Sequence, residues 1–121
     1  MGTSGLAFVT NAPNLDFSKT GGSVYVTNEL DGGVTVTASS TTGAAVLVDL
    51  LSRNGADTLN DALTIGASNL VNSFAGSSVA LTGATLTLTG GITSPTITLN
   101  NSGTVTGAGV VLIGAALTAT D

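Results

Sequence analysis

The C-terminal half of the chain constrains its fold most, because residues 62–120 contain no charged side chain. From residue 78 onward, Thr alternates with Leu, Ile or Val in short runs that Gly, Ser, Pro and Asn separate. Alternation with a period of two is typical of β-strands, whose successive side chains point to opposite faces of a sheet. Thr, Ser and Asn provide little of the charge repulsion that keeps strand edges apart. We therefore expect this half to associate, with copies of itself or with a larger assembly.

The composition also favours strands. The 121 residues include 21 Thr, 17 Gly and 12 Ser, and Thr is β-branched whereas Gly breaks helices. With 42% hydrophobic but only 3% aromatic residues, the core must be aliphatic. We predict an all-β fold with short strands in a sandwich, jelly-roll or trimeric β-prism arrangement. The spacing of the strand starts also fits a solenoid, although it is too irregular to establish a repeat period.

Several classes of function are disfavoured by what the chain lacks. Lys19 and Arg53 are the only basic residues against seven acids, so clustered contacts to nucleic-acid phosphates are not expected. There is no Cys or His, which removes disulfides, thiolate metal sites and the commonest general base. The longest nearly apolar run, residues 107–119, is shorter than the roughly 20 residues of a membrane-spanning helix. Residues 1–17 lack the pattern of a secretory signal, so we expect either no export by that route or a signal already removed.

We divide the chain into an N-terminal arm, residues 1–20, and a β domain, residues 21–121. The arm should contain a strand at residues 6–10 and a turn at residues 11–14. Its apolar side chains are expected to pack on the core of the same chain or on a neighbouring subunit. They are Leu6, Phe8, Val9, Leu15 and Phe17.

The β domain begins with two alternating runs, residues 23–27 and 34–38, which flank the sequence NELDGG and predict a β-hairpin. Residues 43–76 are ambiguous, because short apolar runs fit either a strand or a helical turn. We prefer strands at 45–51 and 62–66, with one short helix around Asp57 and Asp61 as the alternative. Later strands are predicted at residues 78–82, 84–89, 95–99, 103–106, 109–113 and 116–120.

The alternation predicts which way the side chains of the later strands face. Thr85, Thr87 and Thr89 should lie on one surface, with Leu86 and Leu88 on the other. The run at residues 96–99 should likewise separate its two Thr from Ile97 and Leu99. The result would be a narrow aliphatic core with a hydroxylated exterior.

The acidic residues are the only candidates for acid/base or metal chemistry. Without His, Cys or an aromatic cleft, we expect solvated carboxylates, no catalytic residue, no cofactor and no metal ligand. These acids are Asp16, Glu29, Asp31, Asp49, Asp57 and Asp61. The run NGADTLND, residues 54–61, resembles one repeat of the calcium-binding nonapeptide array, which needs tandem copies. A polar turn is expected there, with a Ca²⁺ site on Asp57 and Asp61 as the alternative. Ser residues lack an activating base, and the Gly-rich turns lack a following Lys for phosphate.

Pairs of Thr separated by one residue recur along the chain and are similar to the flat Thr ranks of ice-binding solenoids. Such a surface requires the pairs to stack at the spacing of neighbouring strands, about 4.7 Å. Because the intervals between the pairs are uneven, we expect ordinary strand exteriors. The pairs are Thr35/Thr37, Thr85/Thr87/Thr89, Thr96/Thr98, Thr104/Thr106 and Thr118/Thr120.

The segment LTLTGGITSPTITLNNSGTVTG, residues 86–107, resembles stretches of bacteriophage tail-fibre and related virion proteins, which build trimeric β-structures from short Thr/Val-rich strands. The resemblance implies a non-enzymatic structural assembly protein of the virion, a capsid decoration (cement) or fibre subunit that stabilises the particle through inter-subunit β contacts. The expected partners are copies of the chain, most simply in a trimer, and other virion subunits.

The phrase LNNSGTVTGAG, residues 99–109, equally resembles haemagglutinin-type β-solenoid adhesins. This resemblance implies the alternative of a bacterial cell-surface filament subunit or adhesin, located outside the cell or on its surface. The second alternative is an ice- or calcium-binding β-solenoid.

Overall fold

The described residues form fourteen β-strands and no helix. The computed structural model describes residues 1–3, 5–41, 47–56, 59–66, 70–72, 74–107 and 112–120. The strands are β1 (Phe8–Thr10), β2 (Asn14–Lys19), β3 (Val24–Asn28), β4 (Val34–Thr41), β5 (Leu47–Ser52), β6 (Leu63–Ile65), β7 (Leu70–Asn72), β8 (Ser78–Gly83), β9 (Leu86–Leu88), β10 (Ile92–Thr93), β11 (Thr96–Asn101), β12 (Val105–Thr106), β13 (Leu112–Ile113) and β14 (Ala116–Thr120). The prediction of an all-β fold is confirmed.

The strands form two sheets, and neighbouring strands within each sheet are parallel. The first sheet has the order β1-β3-β5-β8-β11-β14. The second has the order β12-β9-β6-β4-β7-β10-β13, with β2 paired to β4. The chain therefore visits the two sheets in turn and stacks each new coil on the previous one. The spacing of the strand starts fitted a sandwich, a β-prism or a solenoid. The parallel stacking of coils corresponds to the solenoid.

The coils differ in length although their strands stay in register. Ser78 pairs with Thr96 at the end of a short coil, whereas Leu47 pairs with Ser78 at the end of a much longer one. The extra residues lie in the connections, including an antiparallel bridge between Arg53 and Asn60. Hydrogen bonding between coils fixes the register of the strands but not the length of the connections. Because the connections differ in length, the coil repeat does not appear as a constant period in the sequence.

The predicted hairpin at residues 23–27 and 34–38 is wrong, because β3 and β4 belong to different sheets. The intervening turn carries the chain from one sheet to the other, and each strand pairs with strands of neighbouring coils. Gly32 and Gly33 have φ of 91° and 98° there, a region that side chains disfavour. A Cβ on Gly33 would also collide with the carbonyl group of Ala62 in the next coil.

The aliphatic core lies between the two sheets, and strands alternate between buried and half-buried residues. Leu86, Leu88, Ile97 and Leu99 are all buried, which confirms the predicted facing of both segments. The other buried hydrophobic residues are Phe17, Val24, Val26, Val34, Val36, Val48, Leu50, Leu63, Ile65, Leu70, Val79, Leu81 and Ile92.

Residues 1–20, which we predicted as an arm, contribute β1 and β2 to the two sheets. Phe17 is part of the core and Leu15 packs against it, while Phe8 remains half exposed. In the ambiguous segment, the preferred strands appear as β5 and β6, and β7 is a further strand that we did not predict. Asp57 lies outside the described residues. The described part of the chain contains no helix with the length and apolarity to cross a membrane.

Candidate functional site

The C-terminal end of the solenoid exposes positions that are buried in the coils before it. In the first sheet, β14 has β11 as its strand neighbour, and its five residues are exposed. Ile97 pairs with Leu117, whose side chain is 57% exposed. In the second sheet, Leu86 pairs with Val105, which is 40% exposed. The end thus presents both a strand edge and apolar side chains.

The N-terminal edge of the first sheet has the same character, whereas β2 at that end of the second sheet carries Asp16 and Lys19. On β1, Phe8 pairs with Val26 and remains 50% exposed, and Val9 is 54% exposed. Leu6, just before this strand, is 77% exposed. Neither β1 nor β14 carries a charged residue, so neither edge has the charges that commonly protect a strand from pairing.

One row of core positions runs through all six strands of the first sheet, and we call it the Phe8 row. Its two ends differ in size, because the row begins with an aromatic side chain and finishes with a methyl group. Paired residues along the row are Phe8, Val26, Leu50, Leu81, Leu99 and Ala119. The four inner members are buried, whereas the two outer members lie at the ends of the solenoid.

The second sheet carries a file of threonines on its outer face, which we call the threonine file. Its members pair directly from coil to coil: Thr35 with Thr64, Thr64 with Thr87, and Thr87 with Thr106. The hydroxyl oxygens of Thr106 and Thr87 are 3.4 Å apart. Our expectation that uneven intervals would prevent stacking is therefore wrong for these residues. The connections take up the unequal lengths and leave the threonines in register.

Additional threonines border this file. Thr85 and Thr89 flank Thr87 on the same face of the sheet and are exposed. Thr104 precedes Thr106 in the next coil, where its carbonyl oxygen accepts a hydrogen bond from Leu86 at 3.0 Å. Parallel strands lie about 4.8 Å apart, so the file presents one methyl and one hydroxyl group at each such step.

Several of the predicted acidic residues meet at the turns that follow β3 and β5. The Arg53 guanidinium donates to Glu29 Oε1 at 2.5 and 3.1 Å. Asn54 Nδ2 lies 3.3 Å from Asp31 Oδ1, and the backbone N–H of Gly32 donates to Asp61 Oδ2 at 3.2 Å. These contacts connect neighbouring coils. No group of three or more potential metal ligands occurs among the residues that the structure describes.

The other two described acids are separate from these turns. Asp16 is exposed on β2. Asp49 lies on β5 beside Tyr25 of β3, and partial burial raises the pKa of its carboxyl group above the ordinary value of 3.8. From the sequence we expected all six acids to be solvated carboxylates. The alternation of residues indicates which face of a strand a side chain lies on, but not whether other residues cover that face.

Neither the threonine file nor the environment of Asp49 was predicted, since both depend on pairing between residues that are distant in sequence. The C-terminal end belongs to the uncharged half, in which we expect association, whereas β1 at the N-terminal end does not. No family model, curated protein or solved structure matched the chain.

Proposed function

We propose that the chain is a non-enzymatic structural assembly protein whose copies join through the ends of the solenoid. Within this class, the proposed role is that of a bacteriophage capsid decoration or fibre subunit, located in the virion. The observation that carries the proposal is the exposure of Leu117 at a position where its direct partner, Ile97, belongs to the core.

Adding a strand beside β14 would continue the hydrogen-bond ladder and cover Leu117. Each Å² of apolar surface removed from water stabilises the contact by about 25 cal/mol, and the new backbone hydrogen bonds fix its register. Both contributions arise from groups that the isolated end leaves open to solvent.

A second copy is the occupant that the geometry favours, because its β1 supplies a free strand edge of matching polarity. Phe8 of that copy would continue the Phe8 row next to Ala119, placing a large side chain against a small one. No charged group of β1 or β14 opposes this contact.

The state of association tests this proposal. Light scattering of the purified chain at several concentrations should give a trimer or a larger species. A stable monomer at all concentrations would contradict the assembly function. A closed trimer would support assembly but favour contacts other than end-to-end stacking. End-to-end stacking would instead give oligomers that grow longer as the protein concentration rises.

A bacterial cell-surface filament subunit or adhesin is the alternative within the same structural class, and it would use the same ends. The genes beside the coding sequence distinguish the two proposals. Capsid and tail genes favour the virion role, whereas secretion genes favour the cell-surface role.

The threonine file supports a second candidate function, the binding of ice. Regularly spaced methyl and hydroxyl groups on a stiff sheet can match an ordered layer of water. Measurable thermal hysteresis would support this function, and its absence would contradict it. Among the residues that the structure describes, which exclude Asp57, the calcium-binding alternative has no comparable supporting contact. A calcium-dependent rise in melting temperature would be needed to retain it.

A further inference from the structure

A small pocket lies on the outer face of the first sheet, near the N-terminal end. Its volume is about 110 Å³. One wall is the tight turn in which Thr3 and Leu6 exchange backbone hydrogen bonds of 2.8 and 3.1 Å. The lining residues include Thr3, Ala7, Tyr25, Thr27, Asp49 and Leu51. The pocket therefore combines an aromatic ring, aliphatic groups, three hydroxyl groups (Thr3, Tyr25 and Thr27) and one carboxylate.

The Asp49 carboxylate has no hydrogen bond or ion pair within the described part of the chain. Its cross-strand neighbours are Tyr25 on one side and Ala80 on the other, and neither carries a positive charge. Arg53, one of the two basic side chains, is paired with Glu29. A partly desolvated carboxylate without a partner is unfavourable, and a cation would relieve that cost.

We propose that this pocket binds a small organic cation, a primary ammonium group on a short alkyl chain, with Asp49 as its counter-ion. The Tyr25 ring provides a surface for the cation and its alkyl chain. The hydroxyl groups of Thr3 and Thr27 accept further hydrogen bonds from the ammonium group. This proposal does not rest on the proposed assembly through the ends of the solenoid.

The size of the pocket limits the ligand. At about 110 Å³ the pocket suits a ligand with only a few heavy atoms. Ethylammonium, with three heavy atoms, is a suitable probe. Because so small a ligand makes few contacts, we expect a dissociation constant no tighter than about 1 mM.

The experiment is a titration of the full chain with ethylammonium chloride, followed by the amide NMR signals. Saturable shifts should be confined to the surroundings of Tyr25, Thr27 and Asp49. The variant D49N, which keeps the side-chain shape, should weaken binding by about tenfold or more, because it removes a charge-assisted hydrogen bond. D16N, on the exposed part of β2, should leave the dissociation constant unchanged.

Two additional titrations make the result specific. Ethanol at equal concentration should not saturate the pocket, and potassium chloride should not reproduce the shifts. Acidification should weaken ethylammonium binding to the wild-type chain as Asp49 becomes protonated. Equal binding by D49N, a potassium response of the same size, or the absence of saturable shifts would each overturn the proposal.

Discussion

Ile97 and Leu117 are direct partners in neighbouring parallel strands, yet the first side chain is 1% exposed and the second 57% exposed. Ile97 lies on β11, which has β8 on one side and β14 on the other. Leu117 occupies the same row of positions but lacks the second neighbour. The alternating apolar pattern therefore continues into β14, although no further strand covers the apolar side chain of Leu117 there.

Replacing Leu117 by Lys should prevent assembly and leave the fold intact. The new charge would be hydrated in the isolated chain but would lose its water in the contact, at a cost of several kcal/mol. Light scattering should then report a monomer, with the melting temperature of the monomeric fold retained. T118K is the matched control, because it adds the same charge to the outer face of β14. Assembly by L117K as strong as that of T118K would contradict the role of this end.

Replacing Ile97 by Lys should destabilise the fold itself and thereby abolish assembly. Ile97 lies in the interior, so the substitution removes an aliphatic contact and buries a charge without a partner. We expect the free energy of unfolding to fall by about 3 kcal/mol or more, as measured by urea denaturation. T98K, one residue later on the outer face, should change it by about 0.5 kcal/mol or less. Similar losses of unfolding free energy for I97K and T98K would contradict the assignment of Ile97 to the interior and Thr98 to the outer face of β11.

The two glycines of the β3–β4 turn should respond differently to Ala. G32A requires an unfavourable positive φ but meets no neighbouring atom, so the expected loss of stability is about 1 kcal/mol. G33A has the same backbone requirement and also places its Cβ against the Ala62 carbonyl. We expect G33A to lose about 3 kcal/mol in the same denaturation measurement. Equal losses would mean that the collision is relieved by a backbone shift.

Asp49 should make stability depend on pH. Because burial raises its pKa above the ordinary 3.8, the folded chain binds this proton more tightly than the unfolded chain. The resulting stabilisation is present below the unfolded pKa and is lost as pH rises through the folded pKa. D49N removes this dependence, so its melting temperature should exceed that of the wild-type chain at about pH 7. The difference in melting temperature between D49N and the wild-type chain should shrink at about pH 3. D16N provides the control. A difference between D49N and the wild-type chain that does not vary with pH would contradict the prediction.

The threonine file should be the surface responsible if the chain shows thermal hysteresis. T87K interrupts the file at its third member and should remove the hysteresis, because a long charged side chain cannot lie flat against an ordered layer. T98K changes the outer face of the other sheet and should retain the effect. The measurement is the gap between freezing and melting temperatures for matched protein concentrations. Equal hysteresis for both variants would exclude the file as the binding surface.

The sequence predicted which face of a strand each side chain occupies better than it predicted which strands pair with each other. Alternation placed Leu86 and Leu88 inside and their neighbouring threonines outside, because the face of a side chain follows directly from its position in a strand. Pairing in the first sheet joins residues that are distant in the sequence and unequally separated, and no local pattern records those separations. The alternation of residues 23–27 and 34–38 was consistent with a hairpin, yet their connection carries the chain between the sheets.

The same limitation applies to the candidate sites. Thr64 stands alone in the sequence without a Thr two residues away, so the pattern of pairs did not include it. The structure makes it the link between Thr35 and Thr87. Asp49 was recognisable as an acid, but the turn at Thr3 that borders its pocket comes from a distant part of the chain.

The longest coil of the first sheet, from Leu47 to its partner Ser78, joins the same ladder as the shorter coil from Ser78 to Thr96. The connection between β5 and β6 therefore accommodates extra residues while the strands on either side keep their register, and its Arg53, Asn54 and Asp61 contact the neighbouring coil. It is a suitable place to graft a foreign peptide, such as an epitope or an affinity tag. If copies stack end to end, each would display that peptide on the same side of the stack, at intervals of one subunit length.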